Sequence, residues 1–363
     1  MLRKSLKNLL IAMDLSVRKG NNFDFIRFVA ASFVIITHMQ SLMGFGGCDL
    51  LCEWTKGTLT FSHLGVKVFF IISGYLIVKS LINSQTYSGY IWKRVLRIFP
   101  GLLVVLLATI FILGPLATTL SIKDYFSSGE TWKMLGTMSL FKLYLNLPGV
   151  FENNPLPNST NGSLWTLVYE FSFYILLLIA SFLGFIKRPL VLLAGWLTIF
   201  ALRVYLGNKL FIYDYASPYL LNLNILQVID NGLFFLSGSL FYLFREKIQF
   251  NWKISLFLAI ILLVSFGINS NISRLVCYLA FPYLTFYLAF LPSNLNSFGK
   301  NGDFSYGIYI YAFPVQQLLV YYFGLTLGLS IMILLSFIIT LGLAWLSWNY
   351  VEKRALSYKD LIK

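Results

Sequence analysis

Residues 23–40 read FDFIRFVAASFVIITHMQ, and this stretch decides what kind of protein the chain is. It is apolar over membrane length, yet it carries Asp24 and Arg27 near its start and His38 near its end. Each helical residue turns by about 100°, so Arg27 and His38 lie within about 20° of one another. Asp24, Arg27, Ala31, Val34 and His38 follow the spacing of a single helical stripe. Charges inside a membrane span are costly, and by default they face a cavity, a partner or a pathway. The chemistry is expected on that stripe.

The rest of the chain has the same character. Its 363 residues are 58% hydrophobic and 12% charged, and the mean hydropathy is +0.75. A soluble domain carries about 25% charged residues. Apolar runs near the bilayer-crossing length of about 20 residues fall at roughly 23–43, 64–82, 98–120, 164–186, 189–206, 225–244, 253–270, 275–291, 304–323 and 326–350. The expected fold is an all-α polytopic membrane bundle of about ten transmembrane helices. Its parts are a basic tail at 1–22, a transmembrane domain at 23–350 with a long external loop at about 121–163, and a second tail at 351–363.

The net charge of +14 does not point to nucleic acid, because the basic residues cluster between apolar runs. Arg3, Lys4, Lys7, Arg18 and Lys19, then Lys93, Arg94 and Arg97, then Lys187 and Arg188 fall on alternate connections. Excess Lys and Arg marks cytoplasmic loops, which places both termini in the cytoplasm. No cleavable signal peptide is evident at the start. Two histidines and three cysteines exclude a Cys/His zinc cluster as the organising idea, and no metal is expected. Cys48 and Cys52 fall in an external loop, where a disulfide and two free thiols both remain open. Within the long loop, Trp132–Leu145 reads as an interfacial or re-entrant helix, and the sequons at Asn158 and Asn161 read as chance matches.

Four further stretches carry polar groups into apolar surroundings. In GVKVFFIISGYLI (65–77), Lys67 and Gly74 share a face, with Ser73 beside them. A Ser-Gly pair commonly lets helices approach closely, and the alternative is Ser73 as a nucleophile. In WKRVLRIFP (92–100), Arg94 and Arg97 stand three apart, read either as membrane-face anchors or as a bidentate phosphate clamp. In GSLWTLVYEFSFY (162–174), Glu170 lies about as deep as His38, beside stripes containing Tyr169 and Tyr174. With no basic residue one helical turn away, it needs a partner from another helix or a wet cavity. FSYGIYIYAFPVQQ (304–317) puts Tyr306 and Tyr309 on a tyrosine-rich helix, read as packing or as substrate support. Asp230 and Arg203 are further intramembrane charges that pair with one another in the simplest reading.

Taken in order, FDFIRFVAASFVIITH, GVKVFFIISGYLI, KRVLRIFP, SLWTLVYEFSFY and SYGIYIYAFP resemble the acyltransferase 3 family of integral membrane O-acyltransferases, from about Asn21 to Glu352. The resemblance implies that Arg27 and His38 match the first-helix arginine and the proposed catalytic histidine. It implies that Arg94 and Arg97 are the cytoplasmic pair that meets the acyl donor, acetyl-CoA. Glu170 matches the glutamate of the fourth motif, and Phe69, Phe70, Ser73 and Gly74 match a phenylalanine-serine-glycine motif. Two departures stand out: Ala312 replaces a late histidine found in many relatives, and no extracytoplasmic hydrolase-like domain is appended.

The implied function is acetyl transfer to a hydroxyl of an extracytoplasmic, lipid-linked cell-surface glycan, in a bacterial inner (cytoplasmic) membrane. His38 acts as general base, and Glu170 orients His38 or holds the acceptor. Arg27, Arg94 and Arg97 bind the donor. Lys67, Ser73, Tyr169, Tyr306 and Tyr309 are candidates to support the substrate or the oxyanion. Partners are then acyl-CoA, the glycan and membrane lipids. The competing reading is a transporter or flippase of a lipid-linked sugar that uses the same charges.

Overall fold

Each long apolar run becomes a helix, and polar side chains set where many of them begin. The structure is a computed structural model that describes residues 20–207, 219–220 and 222–362. Most of the basic tail read at 1–22, with Lys209 and Asp214, lies outside the described residues. Among those described, ten long helices make the bundle: α1 (Phe23–Leu42), α2 (Phe61–Ile82), α3 (Tyr87–Ala108), α4 (Trp165–Phe182), α5 (Pro189–Leu206), α6 (Ile225–Leu243), α7 (Trp252–Ile268), α8 (Ser270–Phe290), α9 (Ser305–Phe323) and α10 (Leu329–Ser347). Thr60, Thr86, Asn224, Asn251 and Asn269 accept from backbone N–H groups in the first turns of α2, α3, α6, α7 and α8, satisfying donors that a helix start leaves open.

Eight of these helices, some with short extensions, are long and apolar enough to cross a membrane. α7 is a shorter apolar helix. α9 is buried almost all round as far as Val320, which makes it the central helix of the bundle. The expectation of a polytopic helical membrane protein with about ten helices therefore holds.

Two boundaries differ from the sequence reading in ways that matter. α3 starts at Tyr87, where Thr86 caps it, and not near residue 98. Arg94 and Arg97 therefore stand inside the helix, and Pro100 is accommodated within it. The stretch Trp132–Leu145 is not one helix. A short helix (Gly129–Lys133) passes into a 3-10 turn (Met134–Ser139), and Leu140 in the left-handed region (φ 50°) ends it. The long loop between α3 and α4 instead folds onto the bundle. Thr118 bridges Val150, and Tyr125 donates to the Ile110 carbonyl (2.9 Å) inside a π-helical turn that follows α3. Cys48 and Cys52 form a disulfide in the loop between α1 and α2.

The most extensive packing joins α2 to α6. It is reciprocal: a Cβ on Gly74 would come within 1.9 Å of the Phe235 carbonyl oxygen, and one on Gly238 within 1.9 Å of the Ile71 carbonyl oxygen. The Ser73-Gly74 pair thus includes the close-approach role read from sequence. Gly74→Ala is expected to destabilise the bundle by at least about 1–3 kcal/mol, the usual cost of overpacking. Thermal unfolding in detergent measures this, and wild-type melting of the variant would show that the two helices separate freely.

Candidate active site

Five helices (α1, α2, α3, α4 and α9) line a cavity of about 110 Å³. It lies toward the end of the bundle that carries the basic connections. Arg27, Arg94 and Arg97 line it together with Ser73, Glu170, Tyr174, Tyr306 and Tyr309. Residues far apart in the chain converge here because α1, α2 and α9 pack side by side.

The arginines are not equivalent. Asp303, immediately ahead of α9, takes Arg27 Nη1 at 2.6 Å and Arg97 Nη2 at 2.5 Å on one carboxylate oxygen. Its other oxygen accepts from the Ser305 hydroxyl (2.5 Å) and backbone N–H (3.2 Å). Burial alone would raise the Asp303 pKa, but the two guanidiniums hold it well below the ordinary carboxylate range. The clamp is therefore charged at any physiological pH. Arg97 also faces Glu352 Oε2 at 3.7 Å, and Glu352 accepts from Ser347 (2.9 Å). Asp24, near the start of the same stripe, packs against Gly299.

Arg94 is different. It donates to Ser80 (3.3 Å) and lies 5.9 Å from the Tyr174 ring, while its buried Nε has no hydrogen-bond partner. A buried, unsatisfied guanidinium N–H on a cavity wall is costly unless a ligand completes it. Opposite, Glu170 accepts from Ser73 (3.1 Å) and from the Tyr174 hydroxyl. Tyr306 donates to the Ile98 carbonyl (2.7 Å) beneath the Arg97 guanidinium.

A second cavity, of about 510 Å³, opens toward the other end. His38, Ser62, His63, Trp165, Tyr169, Tyr219, Asn222 and Gln227 are on its wall. His38 Nδ1 lies 3.4 Å from Ser163 Oγ, and its ring meets Phe313 edge-on at 5.4 Å. The long loop between α3 and α4 secures this corner. Pro314 lacks an N–H and so frees the Ile310 carbonyl, which accepts from Asn161 Nδ2 at 2.8 Å. Gln317 donates to the Leu156 and Ser159 carbonyls, while Asn154 donates to Gln317. Asn161 is thus a buried structural residue, in keeping with its sequon being a chance match.

Sequence reasoning put Glu170 at the depth of His38, either to orient it or to hold the acceptor. The structure places them in different cavities. Ser163, just ahead of α4, is the residue level with His38. Glu170 is seven positions further on, and at 1.5 Å per residue that is about 10 Å deeper. Lys67 is also elsewhere: it pairs with Asp230 (3.0 Å), which Tyr278 also contacts, and it lies 4.9 Å from the Phe234 ring. It lines neither cavity. The simplest reading of Asp230 with Arg203 is replaced by this Lys67 pair. Tyr169 accepts from the Asn224 N–H (3.0 Å) on the His38 side. Tyr309 borders both cavities, with its hydroxyl 2.5 Å from Thr166 Oγ1 and donating to the Ser163 carbonyl (2.7 Å). Ala312 lies in the small-residue contact of α1 with α9 and α10, away from both cavity walls.

Asp303, Ser163 and Glu352 were not singled out by sequence, and Asn161 was noted only for its sequon. Ser163 lies within a quoted stretch, but only the fold shows its partner. Asp303 two residues ahead of Ser305 reads as an ordinary helix cap, and nothing in the spacing connects it to Arg27 and Arg97.

Fold and site together define a multi-pass helical membrane protein with a buried cationic cavity backing onto a histidine-lined one. The chain belongs to the acyltransferase family whose domain model, described as "Acyltransferase domain", matches residues 21–349. It is similar to "O-acetyl transferase" of Shigella phage Sf6, at 32% identity over 94% of this chain and 97% of that protein. It is also similar to "Nodulation protein 10" of Rhizobium leguminosarum bv. viciae, at 34% over 43% of each chain. "Peptidoglycan O-acetyltransferase OatA" of Listeria monocytogenes matches at 28% over 46% of this chain and 29% of that one. No solved structure matches significantly. The protein is an O-acyltransferase of the membrane.

Proposed function

We propose that the protein moves an acetyl group from cytoplasmic acetyl-CoA to a hydroxyl of an extracytoplasmic, lipid-linked cell-surface glycan. The observation that carries this reading is the back-to-back pair of cavities, one lined by Arg27, Arg94 and Arg97, the other by His38. The positive-inside pattern supports the arginine cavity facing the cytoplasm, and the membrane in this reading is a bacterial inner membrane. Arg94 makes the first contact with donor phosphate, because Arg27 and Arg97 already share Asp303.

Arg27 and His38 are about 16 Å apart along the axis of α1, within reach of an extended pantetheine arm. On the His38 side, Trp165, Tyr169 and Tyr219 offer stacking surfaces for a sugar, and Gln227 and Asn222 offer hydrogen bonds. His38 accepts the hydroxyl proton as the sugar oxygen bonds to the acyl carbon. The C–S bond breaks, and the thiolate takes a proton in turn. For Nε2 to act as the base, Nδ1 has to carry the ring proton, and Ser163 Oγ is placed to accept it. Glu170, held by Ser73 and Tyr174, orients the donor side and does not touch His38.

The test supplies membranes with acetyl-labelled CoA and looks for base-labile label on glycan. Arg94→Ala is expected to raise the donor KM by about 10–100-fold, the worth of a charge-assisted hydrogen bond. Glycan that changes sides of the membrane without gaining an acyl group would instead indicate transport.

A further inference from the structure

We propose that Val66 and Tyr309 form the aperture between the two cavities, and that Val66 limits the length of the acyl chain that is transferred. This rests on the arginine-lined cavity being the donor site.

Among the described residues, only Val66 and Tyr309 line both cavities. Arg27, Ser73, Arg94, Arg97 and Glu170 lie wholly on one side, and His38, Trp165 and Tyr169 wholly on the other. The acceptor oxygen approaches from the side that holds His38, and the leaving sulfur stays with the arginines. The bond that forms and the bond that breaks share the acyl carbon, so that carbon has to sit at the partition. Whatever follows it in the acyl chain has to fit beside the same two side chains.

Neither side chain is free to yield. The Tyr309 hydroxyl is held by Thr166 Oγ1 (2.5 Å) and the Ser163 carbonyl (2.7 Å), and its ring packs edge-on against Phe69 (5.9 Å). Val66 follows Gly65, where a Cβ would stand 2.4 Å from the Ala30 carbonyl oxygen. The α2 backbone is therefore seated against α1 at this level and does not withdraw. A β-branched side chain also has little rotamer freedom in a helix. The opening is thus set by the volume of residue 66, and adding or removing methyl groups there changes it directly.

The experiment compares acetyl-, propionyl- and butyryl-CoA as donors with purified wild type, Val66→Ala, Val66→Ile and the volume-conserving Val66→Thr. Binding of CoA and thermal unfolding are measured on each. Val66→Ala is expected to raise the butyryl-to-acetyl rate ratio by about tenfold or more, since one methylene in a shaped pocket discriminates by about 10–200-fold. Val66→Ile is expected to lower transfer of even the acetyl group, and Val66→Thr to keep the wild-type ratio, all with unchanged CoA affinity. An unchanged ratio in both folded Val66→Ala and folded Val66→Ile overturns the aperture. CoA affinity untouched by Arg94→Ala overturns the donor-site reading itself, and the aperture falls with it.

Discussion

His38→Ala is expected to slow acyl transfer by about 10²–10⁴-fold, the usual contribution of a positioned general base, while leaving CoA affinity at the wild-type value. The separation of the two effects follows from the geometry. His38 lines only the cavity away from the arginines, so its side chain makes no part of the donor site. Its fixed contacts are Ser163 Oγ at 3.4 Å and the Phe313 ring. Ser163→Ala, which removes the group facing Nδ1, should cost less than His38→Ala and act on kcat more than on the donor KM. Initial rates with labelled acetyl-CoA and CoA binding in detergent measure both quantities. Transfer at the wild-type rate by His38→Ala would remove the histidine from the mechanism.

Asp303→Ala is expected to destabilise the protein by about 3–5 kcal/mol, the cost of breaking a buried ion pair from one side. The loss is large because one carboxylate serves two guanidiniums, at 2.6 and 2.5 Å, from α1 and α3. Without it, Arg27 and Arg97 face one another across a largely buried site, with Glu352 at 3.7 Å from Arg97 and Asp24 near both arginines as the acids left beside them. Asp303→Glu keeps the charge on a longer arm and should restore part of the stability. Thermal unfolding of the detergent-solubilised variants checks the order wild type, Glu, Ala. Equal melting of Asp303→Ala and wild type would show that this clamp does not hold α1, α3 and the start of α9 together. The carboxylate stays ionised until far into acid, so no loss of this stabilisation is expected between pH 5 and 8, about the range in which proteins are most stable.

The two sets of residues behind these predictions were not equally legible. His38, Arg27, Arg94, Arg97 and Glu170 announce themselves because a polar group in an apolar run is conspicuous in one dimension. Asp303 and Ser163 do not, since each sits in a polar stretch where such residues are ordinary. The depth of Glu170 was misread although the start of its helix was placed within one residue, because how far one helix is shifted along another is set by packing and not by hydropathy. Arg94 and Arg97 looked like an equal pair at three-residue spacing. Their difference comes from Asp303, more than two hundred residues away, which engages one and not the other.

The sequence by itself determined the class of fold, the number of long helices and the stripe on α1 that joins Arg27 to His38. Those follow from hydropathy, charge placement and the 3.6-residue period, which are local properties. Only the tertiary structure decided which charges neutralise one another and where the cavities divide. It gave Lys67 to Asp230, Arg27 and Arg97 to Asp303, and Glu170 to Ser73 on the far side of Val66 and Tyr309 from His38. The physical reason is that a buried charge takes its partner from whichever helix packs beside it, and that neighbour is chosen by contacts such as Gly74 against Phe235, not by distance along the chain.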